Sequence, residues 1–173
     1  MGIRYYAYAF DADMTERALA DPRSMLSADP LADAWGMEPG FTIGTTDFTQ
    51  AVPKRDMLYL DKAWGLLQQL TAPATDTDET RPAHLMFEGR VTYNDDWGWD
   101  GWVRALTPEQ VVEIAPDLDR IGDDEVKERL RGCALPDGRS DAEARYALQY
   151  LGKAREFVAG LAAEGRGMVY LIG

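Results

Sequence analysis

The sequence predicts a single α/β domain over residues 1–173, with helices in a three-layer arrangement around a small mixed sheet. Two observations lead to this prediction. Strand-like segments lie near both ends of the chain, at residues 3–10 and 168–172, and the segments between them carry apolar residues at helical spacing. Remote strands separated by helices are typical of one sheet built from distant parts of the chain.

Both terminal segments are apolar on both strand faces. Residues 3–10 have the sequence Ile-Arg-Tyr-Tyr-Ala-Tyr-Ala-Phe, in which aromatic and small side chains occupy both alternating sets of positions. Residues 168–172, Met-Val-Tyr-Leu-Ile, form a short uninterrupted apolar run, which is typical of a strand inside a sheet. We therefore expect the C-terminal strand to be central.

Apolar periodicity predicts helices between these strands. The predicted helices cover residues 13–20, 58–70, 107–118, 123–131 and 140–164, with the last one the longest. Residues 22–56 are irregular apart from short helical turns near residues 24–26 and 31–35. We expect a strand region in residues 84–93 and a short extended segment in residues 103–106.

Capping signals mark several predicted helix starts. Thr107, followed by Pro108 and Gln110, is the strongest signal in the chain, because it combines an N-cap, a first-turn proline and a capping box. Asp13 is expected to cap the first helix in the same way. Pro116 lies inside the helix that starts after Thr107, and we expect it to kink that helix or end it early.

The net charge of −12 limits the partners that the chain can bind. A negative field repels nucleic-acid phosphates and anionic lipids, so we expect neither nucleic-acid nor membrane binding. The charge has two interpretations: it serves solubility, or it presents an acidic face to a basic protein partner. A single cysteine, Cys133, no secretory signal and no apolar run of about 18 residues predict a cytoplasmic protein.

Four residues outside the aromatic-rich part of the chain are candidates for ligand binding. His84 is the only histidine, so it could act as a general base, although a hydrogen-bonded structural histidine is the alternative. Asp61 and Lys62 precede Trp64 early in the predicted helix. Asp61 there would complement the helix dipole and Trp64 would face the core; a binding role at a pocket mouth is the alternative.

Residues 94–102 have the most unusual local composition. They contain six further candidates: Asp95, Asp96, Trp97, Trp99, Asp100 and Trp102. Aromatic rings beside carboxylates suit sugars and cations, whereas the structural alternative is that the tryptophans cover the end of the sheet. A calcium loop is excluded because Gly98 and Ala105 stand where ligands are required. We expect no metal site and no cofactor.

Several segments together resemble the YfbM-like family of bacterial proteins of unknown function. These are Met1-Gly2, the run Leu60-Asp61-Lys62-Ala63-Trp64 with Leu67 and Leu70-Thr71, the helix start Leu106-Thr107-Pro108-Glu109, residues 121–129 and residues 165–173. The resemblance covers most of the chain in order. It implies a compact α/β domain with helices packed on a sheet, and it implies no activity and no catalytic residues.

Two functions from different classes follow from these features. The sequence has no phosphate-binding glycine loop, no nucleophile elbow and no paired metal histidines, which favours a non-enzymatic protein-interaction or ligand-binding domain. One version of it is an acidic, inhibitor-like partner of a basic protein; a small molecule is the other ligand class. The alternative is a carboxylate-based hydrolase that uses Asp95, Asp96, Asp100 and His84.

Overall fold

The protein is described by a computed structural model. It describes residues 2–36, 42–43, 46–47, 51–75, 79–94, 98–131 and 140–173. Within them the helices are α1 (Thr15–Ala20), α2 (Pro30–Gly36), α3 (Trp64–Thr71), α4 (Pro108–Asp119), α5 (Asp123–Arg131) and α6 (Ser140–Glu164). The strands are β1 (Tyr5–Phe10), β2 (Thr42–Ile43), β3 (Thr46–Asp47), β4 (Met57–Asp61), β5 (Thr92–Tyr93), β6 (Trp99–Asp100), β7 (Trp102–Leu106) and β8 (Gly167–Ile172).

The main sheet has four strands in the order β4-β1-β8-β7. The α/β class is confirmed, and β8 is one of the two inner strands, as its apolar sequence predicts. All three pairings are antiparallel, so the prediction of a mixed sheet was wrong. An apolar run shows that a strand is covered on both faces, but it does not show in which direction the neighbouring strand runs.

Helices cover both faces of this sheet. On one face, Tyr5 and Ala7 of β1 and Tyr170 of β8 pack in the main core, beneath α3, α4, α5 and α6. On the other face, Tyr6 and Tyr8 pack with residues of α2, and the neighbouring Phe10 packs with Ala18 of α1. This is the predicted three-layer arrangement, and it explains why β1 is buried on both sides.

Two predicted segments have a different structure. The expected helix over residues 58–70 is a strand, β4, followed by the shorter helix α3. Leu58 and Leu60 are both buried and satisfy a strand spacing of two, while the helical spacing holds only from Trp64 onward. The expected strand region 84–93 contains the 3-10 turn Pro82–Met86 and the two-residue strand β5. Pro82 favours the start of a helical turn, and Gly89 has a positive φ of 141° that interrupts extended pairing.

The capping predictions were right for α4 and wrong for α1. Thr107 Oγ1 accepts from the Gln110 backbone N–H, and Gln110 Oε1 accepts from the Thr107 N–H at 3.0 Å. At α1 the N-cap is Met14, which makes no side-chain cap, because a 3-10 turn precedes the helix. Pro116 does not end α4, which continues to Asp119. Pro116 lies on the exposed side of the helix, where water can solvate the carbonyl that it leaves unbonded.

Candidate functional site

A cleft of about 930 Å³ lies along the β4 side of the sheet, between α2 and α6. We call it the edge cleft. Met57, Leu58 and Tyr59 of β4 all line it, although consecutive strand side chains point to opposite faces. The cleft therefore wraps around the edge of the strand. The α2 wall contains Ala34 and Trp35, and the apolar part of the α6 wall is formed by Tyr150, Phe157, Gly160 and Leu161.

The helix α6 runs antiparallel to β4. At one end, the Tyr146 hydroxyl donates to Asp61 Oδ2 at 2.8 Å, and Asp61 is the last residue of β4. At the other end, Arg166, which follows α6, donates to Asp56 Oδ1 at 2.6 Å, just before β4 begins. Cleft-lining positions on α6 extend from Tyr150 to Glu164, a span of about 21 Å at 1.5 Å per residue. The edge cleft is therefore elongated along the strand.

Charged side chains flank the apolar walls. Lys54 and Arg55 precede β4, Lys153 lies on α6, and the carboxylates of Glu156 and Glu164 share the α6 wall. All five residues are exposed. The Lys153 ammonium lies 4.7 Å from the centre of the Tyr150 ring, within the range of a cation–π interaction. In a chain with a net charge of −12, the cleft lining thus has three cations and two carboxylates, of which Arg55 also lies 3.7 Å from Asp56 and Glu164 lies 3.4 Å from Arg166.

The Asp61 carboxylate does not line the edge cleft but is bonded to Tyr59, which does. Its Oδ1 accepts from Arg4 Nε at 3.1 Å and from the Tyr59 hydroxyl at 2.9 Å, in addition to the bond from Tyr146. Asp61 has a φ of 47° and is the only non-glycine residue with positive φ among those described. The register between β1 and β4 shifts at the same place, opposite Tyr5 and Tyr6. The carboxylate thus holds together the end of β4, α6 and the start of β1.

The protonation states within this cluster do not suit acid–base catalysis. Partial burial opposes the ionisation of Asp61, but hydrogen bonds from Tyr146 and Tyr59 and the charge of Arg4 lower its pKa overall. Burial and the hydrogen bond to Asp61 raise the pKa of both tyrosines well above its ordinary value. An ionised aspartate and two neutral tyrosines form a stable network in which no group is near its titration point at neutral pH.

A second cavity of about 380 Å³ lies between α3, α4 and α5. Its charged groups are used within the protein. Arg81 donates to both carboxylate oxygens of Asp117, at 2.9 and 3.0 Å, and Arg129 donates to the carbonyl oxygens of Leu70 and Ala72. Burial opposes ionisation of Asp117, but the bonds from Arg81 and from the Ala83 N–H lower its pKa. These bonds join the residue before the 3-10 turn Pro82–Met86 to α4, and α5 to the end of α3, so we regard the cavity as structural.

A family model described as a domain of unknown function (DUF1877) matches residues 1–170. The chain belongs to the DUF1877 family. It is also similar to the crystal structure of YfbM, a protein of unknown function from Escherichia coli, with a TM-score of 0.59. That match covers 99% of this chain and 100% of that chain at 14% identity, and it shows a shared fold. The predicted resemblance is therefore confirmed. No curated protein matches the chain.

In this DUF1877 protein, Asp61, Lys62 and Trp64 lie at the junction of β4 and α3. Asp61 is not in a helix and does not cap α3, whose N-cap is Ala63. Lys62 is exposed, and its side-chain methylenes lie over Gly2, where an added Cβ would be 2.7 Å from Lys62 Cε. Trp64 packs against the main core and donates from Nε1 to the Ile3 carbonyl at 3.3 Å. Of the three, only Asp61 reaches the edge cleft, through Tyr59.

His84 lies in the 3-10 turn Pro82–Met86, at the opposite end of α3 from Asp61. Its Nδ1 is 3.1 Å from the hydroxyl oxygen of Thr71, and that hydroxyl donates to the Leu67 carbonyl. Burial lowers the pKa of His84, while the charge of Glu88 acts in the opposite direction. Neither of the two cavities is lined by His84. The hydrogen bond agrees with a structural histidine, in a turn and not at a strand start.

The described tryptophans of residues 94–102 are partly exposed. Trp99 is 40% exposed and pairs across the β5–β6 hairpin with Tyr93, which is 74% exposed. Trp102 is 39% exposed and packs closely on Gly89, where an added Cβ would meet its ring at 2.3 Å. Asp100 is exposed on β6. Asp95, Asp96 and Trp97 lie outside the described residues, so ligand binding by this segment stays a prediction.

The edge cleft was not predicted from the sequence. Its α6 wall lies on a helix whose apolar spacing predicts a core-facing stripe, and Phe157 and Leu161 both pack in the core. The available signal was the cationic pair Lys54-Arg55 directly before β4 in an acidic chain. In the described part of the chain, no group of three or more His, Cys, Asp or Glu residues could hold a metal ion, and no helix there is long and apolar enough to cross a membrane.

Proposed function

We propose that this DUF1877 protein is a non-enzymatic ligand-binding protein and that the edge cleft is its binding site. One observation carries the proposal: the elongated cleft of about 930 Å³ between α2, β4 and α6. Ligand sites in proteins are commonly clefts of about 300–1,000 Å³ with mainly apolar and aromatic walls and a few polar groups that orient the ligand. The Trp35, Tyr59 and Phe157 side chains and the flanking lysines provide this combination.

The lining favours a ligand with an apolar or aromatic body and an anionic group. Met57, Phe157 and Leu161 offer apolar contacts, which remove ligand surface from water. Lys153 and the pair Lys54-Arg55 can each neutralise a carboxylate or phosphate. The Asp61 carboxylate is bonded to three side chains and does not line the cleft, so it orients the wall residue Tyr59 and does not contact the ligand.

The chain offers a matched pair of variants that test this site. An added Cβ at Gly160 meets no atom within 4 Å, and Gly160 lines the edge cleft, so Gly160→Trp fills the cleft without displacing the core. Gly152 lies on the same helix, also with open space at its Cβ, but does not line the cleft. Gly152→Trp is therefore the control, since both changes replace a helix-interior glycine.

The experiment measures thermal unfolding and dye fluorescence of all three proteins. The probes are anilinonaphthalene sulfonate, which is aromatic and anionic, and a panel of fatty and aromatic carboxylates. A carboxylate present at about 100 times its dissociation constant should raise the unfolding midpoint of the wild type and of Gly152→Trp by roughly 5–10 °C. Gly160→Trp should show no shift. The proposal is wrong if no probe binds the wild type, or if Gly160→Trp and Gly152→Trp bind equally well.

The other predicted functions have less support. An acidic partner for a basic protein rests on the net charge of −12 and stays a prediction. For the hydrolase, no observation favours chemistry near the hairpin: Asp100 is exposed, and His84 is bonded to Thr71 at 3.1 Å. We therefore propose the edge cleft, and not the hairpin, as the functional site.

A further inference from the structure

We infer that the ligand of the edge cleft is an extended peptide with acidic residues, which pairs with β4 as an additional strand. This inference rests on the proposed function and names its ligand class. Three features of the cleft lead to it: a strand edge at its floor, a length that matches an extended hexapeptide, and an excess of cations around apolar walls.

The floor of the cleft is the outer edge of β4. In the main sheet β4 pairs with β1 on one side, and within the part of the chain that the structure describes no strand pairs with its other side. Alternate N–H and C=O groups of an edge strand point away from the sheet and can pair with an added strand. Met57, Leu58 and Tyr59 all line the cleft, and alternate residues of this run carry the outward-facing groups. Backbone pairing is therefore available where the ligand would lie.

The shape of the cleft suits an extended chain. Its α6 wall extends from Tyr150 to Glu164, about 21 Å. An extended segment of six residues spans about 20 Å at 3.3 Å per residue. The two walls lie on opposite sides of the strand plane, α6 on one side and α2 on the other. Alternate side chains of an added strand would thus contact Phe157 and Leu161 on one side and Trp35 on the other.

The charges favour an acidic peptide over a basic one. Lys54 and Arg55 lie at the end of the cleft near Glu164, and Lys153 lies about three helical turns from Glu164, toward Tyr146. An acidic side chain near either position gains a favourable ion pair. The whole chain has a net charge of −12, so the three cations of this cleft offer an acidic peptide a local attraction that the overall charge does not.

The test uses a synthetic pool of seven-residue peptides with acetylated and amidated ends. Each has Glu at both ends and Val, Ile, Phe or Tyr between them; a matched pool has Lys at both ends. Binding is measured by fluorescence anisotropy with the wild type, Gly160→Trp and Gly152→Trp. We expect members of the Glu pool to bind the wild type and Gly152→Trp at least tenfold more tightly than they bind Gly160→Trp, and more tightly than the Lys pool binds.

Backbone methylation then distinguishes strand addition from other binding. The tightest peptide is made with N-methyl groups at its odd residues or at its even residues. Only one set of N–H groups can face β4, so one pattern should weaken binding by roughly tenfold or more and the other should not. Binding should also slow hydrogen exchange at alternate amides of Met57–Asp61. Equal effects of the two methylation patterns would overturn strand addition.

The remaining outcomes separate this inference from the proposed function. If carboxylates bind in the cleft but no peptide does, the peptide inference is wrong and the ligand-binding site stands. Equal binding of the Glu and Lys pools contradicts the acidic preference. If the wild type forms a dimer that Gly160→Trp abolishes and Gly152→Trp retains, the edge of β4 pairs with a second copy, and the peptide inference is overturned. Binding that Gly160→Trp leaves unchanged contradicts both proposals.

Discussion

At the scale of single residues, Asp61 combines an unfavourable backbone with several favourable contacts. A φ of 47° costs an L-residue about 1–2 kcal/mol, although Asp tolerates this region better than most. The carboxylate accepts from Arg4, Tyr59 and Tyr146, which belong to three different segments of the chain. The left-handed backbone conformation directs the carboxylate toward these three donors. The hydrogen bonds therefore offset the backbone strain.

Two substitutions separate the side-chain and backbone contributions of Asp61. Asp61→Ala removes the three side-chain bonds and keeps the unfavourable φ, so we expect it to lower the free energy of unfolding by roughly 3 kcal/mol. Asp61→Gly removes the same bonds but adopts the conformation freely, so its loss should be about 1 kcal/mol smaller. Urea unfolding measures both. If the two variants are equally stable, the backbone conformation contributes nothing.

At the scale of secondary-structure elements, the sequence predicted α4 and α6 well because each carries a full local signal. Thr107 and Gln110 fix the start of α4 through contacts within four residues, which require nothing from the rest of the fold. The segment 57–71 was assigned wrongly because its strand and its helix share apolar residues that satisfy both spacings. The change from one to the other at Asp61 depends on Arg4 and Tyr146, which are remote in sequence.

The capping box of α4 makes a prediction at this scale. Thr107→Ala leaves the Gln110 N–H without its partner at the end of a helix packed on the sheet, so the free energy of unfolding should fall by about 1 kcal/mol. Glu113→Ala, an exposed change on the same helix, is the control and should change it by less than about 0.5 kcal/mol. Chemical denaturation measures both. A loss of the same size in the two variants would show that the cap is not the cause.

At the scale of the whole molecule, the sequence predicted the layers of the fold but not the candidate site. Two-sided burial of β1 and β8 follows from their composition, and composition is sufficient to place helices on both faces. The edge cleft is formed where α2, β4 and α6 meet, elements separated by up to about a hundred residues in sequence. The cleft results from the relative placement of these elements along one sheet edge. No single element therefore needs an unusual sequence motif at the cleft.

The tyrosines of the sheet and its surroundings make the fold sensitive to alkali. Burial raises the pKa of Tyr5 and Tyr170 well above the ordinary value of 10.0, and also raises that of Tyr6, Tyr8, Tyr59 and Tyr146. The unfolded chain loses these protons near pH 10 while the folded chain retains them. Stability is therefore unaffected below pH 10 and decreases as the pH rises above it.

The size of this loss follows from the two fully buried rings. Tyr5 and Tyr170 are each 0% exposed and stack at 5.3 Å between ring centres, and each removes about 1.4 kcal/mol of stability per pH unit above 10. The other four add smaller amounts because water screens them. Since a typical domain is stable by only about 5–15 kcal/mol, the fold should be lost at strongly alkaline pH, above about pH 11. The tyrosinate absorbance of the buried rings and the circular dichroism should then change together at one midpoint, and Tyr93→Phe, at a 74% exposed position, should leave that midpoint unchanged. Ionisation of all tyrosines near pH 10 in a protein that keeps its helices would contradict the buried, proton-retaining state of the sheet.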